Sequence, residues 1–297
     1  MGFEAKVILD SVGPAGQRIT TSQLKYPRFI HAEFMTHREF SRNASSSRAI
    51  PVAKMIEQVR NDPAMPIHWG ANQPGMQADN QLDAGQIRIM KSNWNLAAGQ
   101  AADVAQSMAN AGLHKQVANR LLEPFQWMHV IVTTSSHSNF DGLRRHADAQ
   151  PEIRHLADIW AEAREKSTPI MRPEGDWHLP YIQPEDHELA FKHLKKGRIL
   201  RSEPSAEDVH FLLAAVSAAR CARVSYLTHD GNKPSIEQDV ELYNRLAGSQ
   251  PIHASPLEHQ AICDGICRHE GWLHAEQHGN FVGWRQFRKM HPGEYIN

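Results

Sequence analysis

Apolar and polar residues alternate through KVILDSV (6–12) and ITTSQLKY (19–26), and the intervening Gly13, Pro14 and Gly16 predict a turn between two strands. After Pro27 the pattern changes to helical spacing. Phe29, Phe34 and Met35 in RFIHAEFMTHREF fit a helix that feeds directly into residues 36–48. Residues 51–60 read as a short helix with Pro51 in its first turn, stopped near Asn61, Asp62 and Pro63. The Gly, Pro, Asn and Gln of 64–82 predict an extended surface loop. Residues 83–111, rich in Ala, Gln and Met, form one long helix or two shorter ones. HKQVANRLLEPF (114–125) predicts a helix that ends before Pro124. WMHVIVTTS fits a buried strand or a helix, because so short an apolar run has no decisive period. A helix begins between Asn139 and Arg145, and another covers 151–167, with Ile153, Leu156, Ile159 and Trp160 on one face. Residues 168–206 read as a connector with little regular structure. Helices follow at 206–222 and 235–247, and the tail from Gly265 reads as irregular.

Composition narrows the classes of function. With 32 basic and 33 acidic residues among 297, the chain has no global field to draw it to nucleic acid or a membrane surface. MGFEAKVILDSV has an early acid and no long apolar core, so it does not read as a signal peptide, and FLLAAVSAA is too short to span a bilayer. Cys221, Cys263 and Cys267 suit a reducing cytoplasm better than a disulfide scaffold. Nineteen His raise the question of a metal site. Cys263, Cys267, His269, His274 and His278 have ligand types and gaps that zinc can use, although not the standard pair of pairs.

The richest chemistry lies in THREFSRNASSSR (36–48). His37, Arg38, Arg42 and Arg48 alternate there with the hydroxyls of Ser41, Ser45, Ser46 and Ser47. Guanidinium forks interleaved with neutral donors suit an oxygen-rich dianion, since Arg grips two phosphate oxygens at once. A solvated Ser-rich loop is the alternative.

The order of these residues resembles the signature of the flavin-dependent thymidylate synthases (ThyX): Arg-His-Arg, seven residues, then Ser, closing on Arg. Thr36-His37-Arg38, Ser41, Asn43, Ser46 and Arg48 follow it, while Thr36, Ala44 and Ala49 stand where the family has Arg, Glu and Tyr. NRLLEPF (119–125) and NFDGLRRHADAQPEIR (139–154) resemble two further motifs of that family. ARVSYLTHDG (222–231) with SPLEH (255–259) resembles a fourth, which opens the family's chains but comes late here, so the resemblance implies a circular permutation. It covers neither 64–110 nor 165–205, nor the last thirty or so residues.

The resemblance implies an α+β fold, an antiparallel sheet packed with long helices, in one catalytic domain over 1–297. In that division 1–167 carries the signature, nucleotide and flavin motifs, 168–206 connects, 207–264 is the displaced family N-terminus, and 265–297 is an added tail. The implied reaction is reductive methylation of dUMP to dTMP, with methylenetetrahydrofolate, FAD and NADPH, in a cytoplasmic homotetramer whose sites are shared between subunits. Arg144 falls where the family polarises the uracil ring. Glu33, Ser46, Ser47, Arg48 and Arg120 fall where it binds the nucleotide. His37, Arg38, Asn43, Asn139, Ser225 and His259 fall where it meets flavin or folate. No metal ligand and no catalytic Cys is implied. Each residue also has an ordinary reading: Arg120 as a surface cation, Asn139 as a helix cap, His259 as a polar helix residue. Glu33 replaces the family's usual Gln, and with Thr36 and Ala44 it leaves open a hydroxymethylating relative acting on dUMP or dCMP. Arg285 and Arg288 in GNFVGWRQFRK (279–289) are the candidates to replace the Arg missing at Thr36.

Overall fold

A tight turn folds the first two strands, β1 (Glu4–Val12) and β2 (Arg18–Pro27), onto each other in the computed structural model, which describes residues 2–197, 203–226 and 234–294. Gly16 takes φ +82° there, and a side chain at Gly13 would run into Gln17 and the Cys263 sulfur. The chain past Pro27 differs from the expected long helix. A 3-10 turn (Arg28–Ile30) leads into one short helix, α1 (His31–Phe34). The helix stops because the Arg42 guanidinium donates to the carbonyls of Met35 (2.9 Å) and His37 (3.0 Å), pulling them out of helical register.

β3 (Ser41–Ala44), α2 (Val52–Asn61) and α3 (Ala84–Asn110) follow. α3 is a single helix of 27 residues, opened by Asp83, whose carboxylate accepts from the Gln86 amide while Gln86 reaches back. α4 (Lys115–Ala118) gives way to a 3-10 stretch (Asn119–Phe125) rather than the expected helix, and that geometry tolerates Pro124 inside it. The ambiguous apolar run becomes β4 (Trp127–Thr134), and α5 (Ser138–Arg144) and α6 (Pro151–Glu165) lie beyond it.

The expected connector is structured. β5 (Ile170–Met171), β6 (Trp177–His178) and a fourteen-residue helix, α7 (Pro184–Gly197), occupy it. α8 (Ala206–Ala222), α9 (Ile236–Ala247), β7 (Ala261–Cys263), β8 (Ile266–Cys267), β9 (Gly271–Trp272) and β10 (Trp284–Gln286) complete the described elements.

The main sheet runs β3-β4-β2-β1-β5, antiparallel except for β5, so the architecture is mixed α and β with antiparallel sheets. Its two faces differ in chemistry. Leu24, Tyr26, Val130 and Val132 point to one face, where Phe34, Phe40, Phe140 and Trp160 from α1, α5, α6 and the turn before β3 form the principal core. The opposite face carries Ser11, Thr21, Gln23, Thr133, Ser41 and Asn43, and it is buried too. The C-terminal half covers it with hydrogen bonds as well as with apolar contacts to Ile19 and Ile131. Thr21 meets His178 (2.9 Å) and Thr133 (2.7 Å), Thr133 meets His259 (2.9 Å), and His178 meets Ser11 (2.8 Å). Tyr181 donates to Gln23 (3.0 Å), and Asn43 donates to the Cys221 carbonyl (2.8 Å).

Behind this layer Arg220 of α8 joins Asp186 of α7 and Asp239 of α9 in a buried ion network. No helix among the described residues is long and apolar enough to cross a membrane.

Candidate functional site

Arg144, the last residue of α5, is held against the turn that carries His37. Its Nε–H donates to His37 Nε2 at 2.8 Å, one Nη pairs with the Glu33 carboxylate, and the other lies 3.5 Å from the Thr36 hydroxyl. His37 packs against Phe140 and Phe40, with ring centroids 4.8 and 5.9 Å away. Burial, then the charges of Arg144 and Arg42, push its pKa down to about 4, so the imidazole is neutral and free to accept at Nε2. Glu33 and Arg144 open onto a cleft of about 1150 Å³, walled by residues 73–79 on one side and by Ala147–Pro151 and the exposed Arg154 on the other. A carboxylate oxygen beside guanidinium N–H groups at a cleft wall can bind an adjacent donor and acceptor on a flat heterocycle.

A second group lies beyond the far end of β3. The Ser46–Arg48 turn is held from beneath by the Asn119 amide, which donates to the carbonyls of Ser47 (2.6 Å) and Ile50 (2.9 Å). Lys115 donates to the Ala49 carbonyl at 2.8 Å. The Ser47 hydroxyl and Arg120 each donate to the same Glu123 oxygen at 2.8 Å, and Arg28 sits 3.0 Å from it. Glu123 stands in the NRLLEPF motif, but no local spacing ties it or Arg28 to the Ser-rich turn. Arg48 is exposed and Arg120 is half exposed at 52%, so their remaining N–H groups can meet an oxyanion, whereas the buried Ser47 hydroxyl donates its one proton to Glu123. The turn that carries His37 precedes β3 and the Ser46–Arg48 turn follows it, so that strand joins the two groups.

The remaining candidates separate by exposure. Arg38 and Asn139 are exposed near His37, Asn139 lying in the first turn of α5. The N-cap position there is His137, so Asn139 is not the cap. Asn43 is buried, giving its amide to Cys221 and accepting from the Ser255 hydroxyl (3.3 Å). His259 is wholly buried, its pKa pushed down to about 3 by burial, with Nδ1 on Thr133 and no hydrogen-bond partner for Nε2 among the described residues. It sits after a 3-10 turn (Ser255–Glu258) rather than on a surface helix. Ser225 falls in the 3-10 turn Arg223–Tyr226, but its side chain, like all of 227–231, lies outside the described residues.

Three of the candidate zinc ligands, Cys263, His274 and His278, are engaged otherwise. His274 and His278 both hydrogen-bond Asp264, at 2.8 and 2.9 Å, and Cys263 is buried against Gln17. Among the described residues no group of three or more His, Cys, Asp or Glu is arranged to hold a metal. The tail is anchored by buried Phe281, Trp284 and Phe287, and within the chain its two candidate arginines pair with residues other than Thr36. Arg285 donates to Gln277 at 2.8 Å, and Arg288 pairs with Glu258.

The sequence profile of the family described as thymidylate synthase complementing protein matches residues 16–170. Among solved structures, the chain is similar to the UMP/dUMP methylase PolB from Streptomyces cacaoi bound with 5-Br dUMP. That match has a TM-score of 0.45 and 16% identity, covering 57% of this chain and 91% of that one. The same methylase bound with 5-Br UMP matches with a TM-score of 0.46 and 15% identity, covering 57% and 90%. No curated protein matches the chain.

Proposed function

The chain belongs to the thymidylate synthase complementing protein family, matched over more than half its length, and on that premise we propose that it methylates dUMP to dTMP with FAD, NADPH and methylenetetrahydrofolate. The observation that carries the reading is Arg144 fixed between His37 and Glu33 at the wall of a large cleft. A guanidinium held in one orientation can stabilise negative charge on a pyrimidine carbonyl as the ring becomes nucleophilic at C5, without reorganising at that moment. Neutral His37 keeps Arg144 oriented and adds no competing positive charge. Glu33 supplies an acceptor for a ring N–H.

The nucleotide phosphate is assigned to Ser46, Ser47, Arg48 and Arg120. These lie past the end of β3 and the His37–Arg144 pair lies before its start, which supports a nucleotide bridging residues of two subunits. The proposed assembly is therefore a homotetramer with shared sites, and the free, mostly buried thiols suit a cytoplasmic enzyme.

The donor set fits a flavin in part. Arg38 and Asn139, exposed around His37, offer charged and amide N–H groups for its carbonyl or phosphate oxygens. Asn43 and His259 are buried and act from behind, holding β3 and β4. When bound, the flavin supplies the hydride that completes the methyl group. The bond from Ser255 to Asn43 also supports a circular permutation of one catalytic domain, since it joins the signature to one late motif, while Asn43 donates to Cys221, the residue just before the other.

One observation favours a second reading. The Glu33 carboxylate beside Arg144 can accept from the exocyclic amino group of cytosine, which supports dCMP, or a hydroxymethylated product, as the alternative. Titration calorimetry with dUMP and dCMP, together with the absorbance of FAD-loaded protein, tests the proposal. It predicts retained flavin and dUMP binding that weakens in Arg144→Ala. Absence of both flavin and pyrimidine nucleotide binding contradicts it.

A further inference from the structure

The tail lies outside the matched family region, yet it touches the signature directly. The Asn280 amide donates through Nδ2 to the Glu39 carbonyl at 2.8 Å, two residues from His37. Its Oδ1 accepts from the Ser41 hydroxyl (3.1 Å) and from Gln286 Nε2 (2.8 Å). Gln286 Nε2 also reaches the Ser41 oxygen at 3.2 Å. With two donors on Oδ1, the Asn280 amide has a single orientation, and Nδ2 must face Glu39.

The support beneath is rigid. Gln286 is 2% exposed in β10, flanked by fully buried Trp284 and Phe287. Gly279 takes φ +63°, and a side chain there would come within 2.8 Å of the Gln286 oxygen, so the approach requires glycine. The only other hydrogen bond to the Glu39 carbonyl among the described residues is a long one from the Thr134 hydroxyl, at 3.5 Å.

We propose that Asn280 and Gln286 form a clamp that positions the Thr36–Ser41 segment, and through it His37 and Arg144, so that the C-terminal tail is a working part of the pyrimidine site. The tail thus acts through neutral amides, not through Arg285 or Arg288. Asn280 and Gln286 are positioning residues, because neither lines the cleft. The proposal rests on the pyrimidine-methylating reading for its kinetic consequence but not for its structural one.

Asn280→Asp isolates the clamp: the side chain keeps its shape and acceptors but turns a carboxylate, not an N–H, toward Glu39. Asn280→Ala at this half-buried position is the second variant, and Gln277→Ala, elsewhere on the tail, is the control. Hydrogen–deuterium exchange of residues 36–41, melting temperature, and kcat and KM with dUMP are read for each. Both Asn280 variants are expected to speed exchange at 36–41 and lower kcat about five- to tenfold, the worth of one lost hydrogen bond or slightly more, while melting as Gln277→Ala does. Unchanged exchange overturns the clamp, and faster exchange with unchanged kcat overturns its positioning role. If the unaltered protein neither binds nor converts dUMP, the functional reading fails, and the clamp stands or falls on exchange alone.

Discussion

Arg144 commits all three of its nitrogens within the chain, to His37, to Glu33 and toward Thr36. A lysine keeps the charge but not the fork, so it cannot hold His37 and Glu33 together. Arg144→Lys is therefore predicted to lose about 1.5–3 kcal/mol of transition-state stabilisation, roughly ten- to hundredfold in kcat/KM for dUMP. A lysine variant as active as the parent contradicts the fork's role. Glu33→Gln removes the acceptor that suits an exocyclic amine. If the cytosine reading holds, this variant shifts binding from dCMP toward dUMP in calorimetry; an unchanged ratio removes Glu33 as the discriminator. At this scale the sequence marked Arg144, His37 and Glu33 but not their contact. Glu123 and Gln286 stand inside NRLLEPF and GNFVGWRQFRK, but their contacts and those of Asn280 are not legible, because neutral or acidic side chains acting across 76 to 245 residues leave no local pattern.

The polar face of the sheet decides how the elements assemble. His178 and His259 are wholly buried there, and burial pushes each pKa from 6.5 down to about 3. Unfolded, these imidazoles bind protons below 6.5; folded, they stay neutral until about 3, so the unfolded state carries more protons throughout that window. Their contribution to stability is complete above 6.5 and is lost as pH falls toward about 3. Urea unfolding at stepped pH should show stability falling by up to about 1.4 kcal/mol per pH unit for each histidine. A flat profile from pH 7 to 4 contradicts the buried neutral pair. Thr133→Val leaves His259 Nδ1 and the Thr21 hydroxyl short of a partner, and should cost about 2 kcal/mol in the same measurement. An unchanged unfolding midpoint contradicts that linkage.

Strands and helices with strong local periods were legible here, including β1, β2, α6, α8 and α9. α7 was not, because its fixing interaction is remote: buried Asp186 in its first turn answers Arg220, 34 residues away. α1 was overestimated because apolar spacing at Phe29, Phe34 and Met35 says nothing of Arg42 capturing the carbonyls that would extend it.

For the whole molecule, the proposed homotetramer has the Ser46–Arg48 turn of one subunit and Arg144 of another meeting the same nucleotide. Arg144→Ala and Arg48→Ala, each inactive alone, are predicted to regain part of the activity when mixed and allowed to exchange subunits. Failure to complement, with a monomer in light scattering, contradicts the shared site. The late arrival of the ARVSY and SPLEH motifs was readable along the chain, but the packing of Val224 on Ile131 and the bonds from Ser255 to Asn43 and His259 to Thr133 were visible only in three dimensions. The central claim is that this cleft alkylates a pyrimidine nucleotide at C5. Mass spectrometry of the nucleotide after incubation with dUMP, methylenetetrahydrofolate, FAD and NADPH tests it most directly. The account predicts dTMP, abolished by Arg144→Ala, whereas dUMP and dCMP both recovered unchanged from flavin-loaded protein would contradict it.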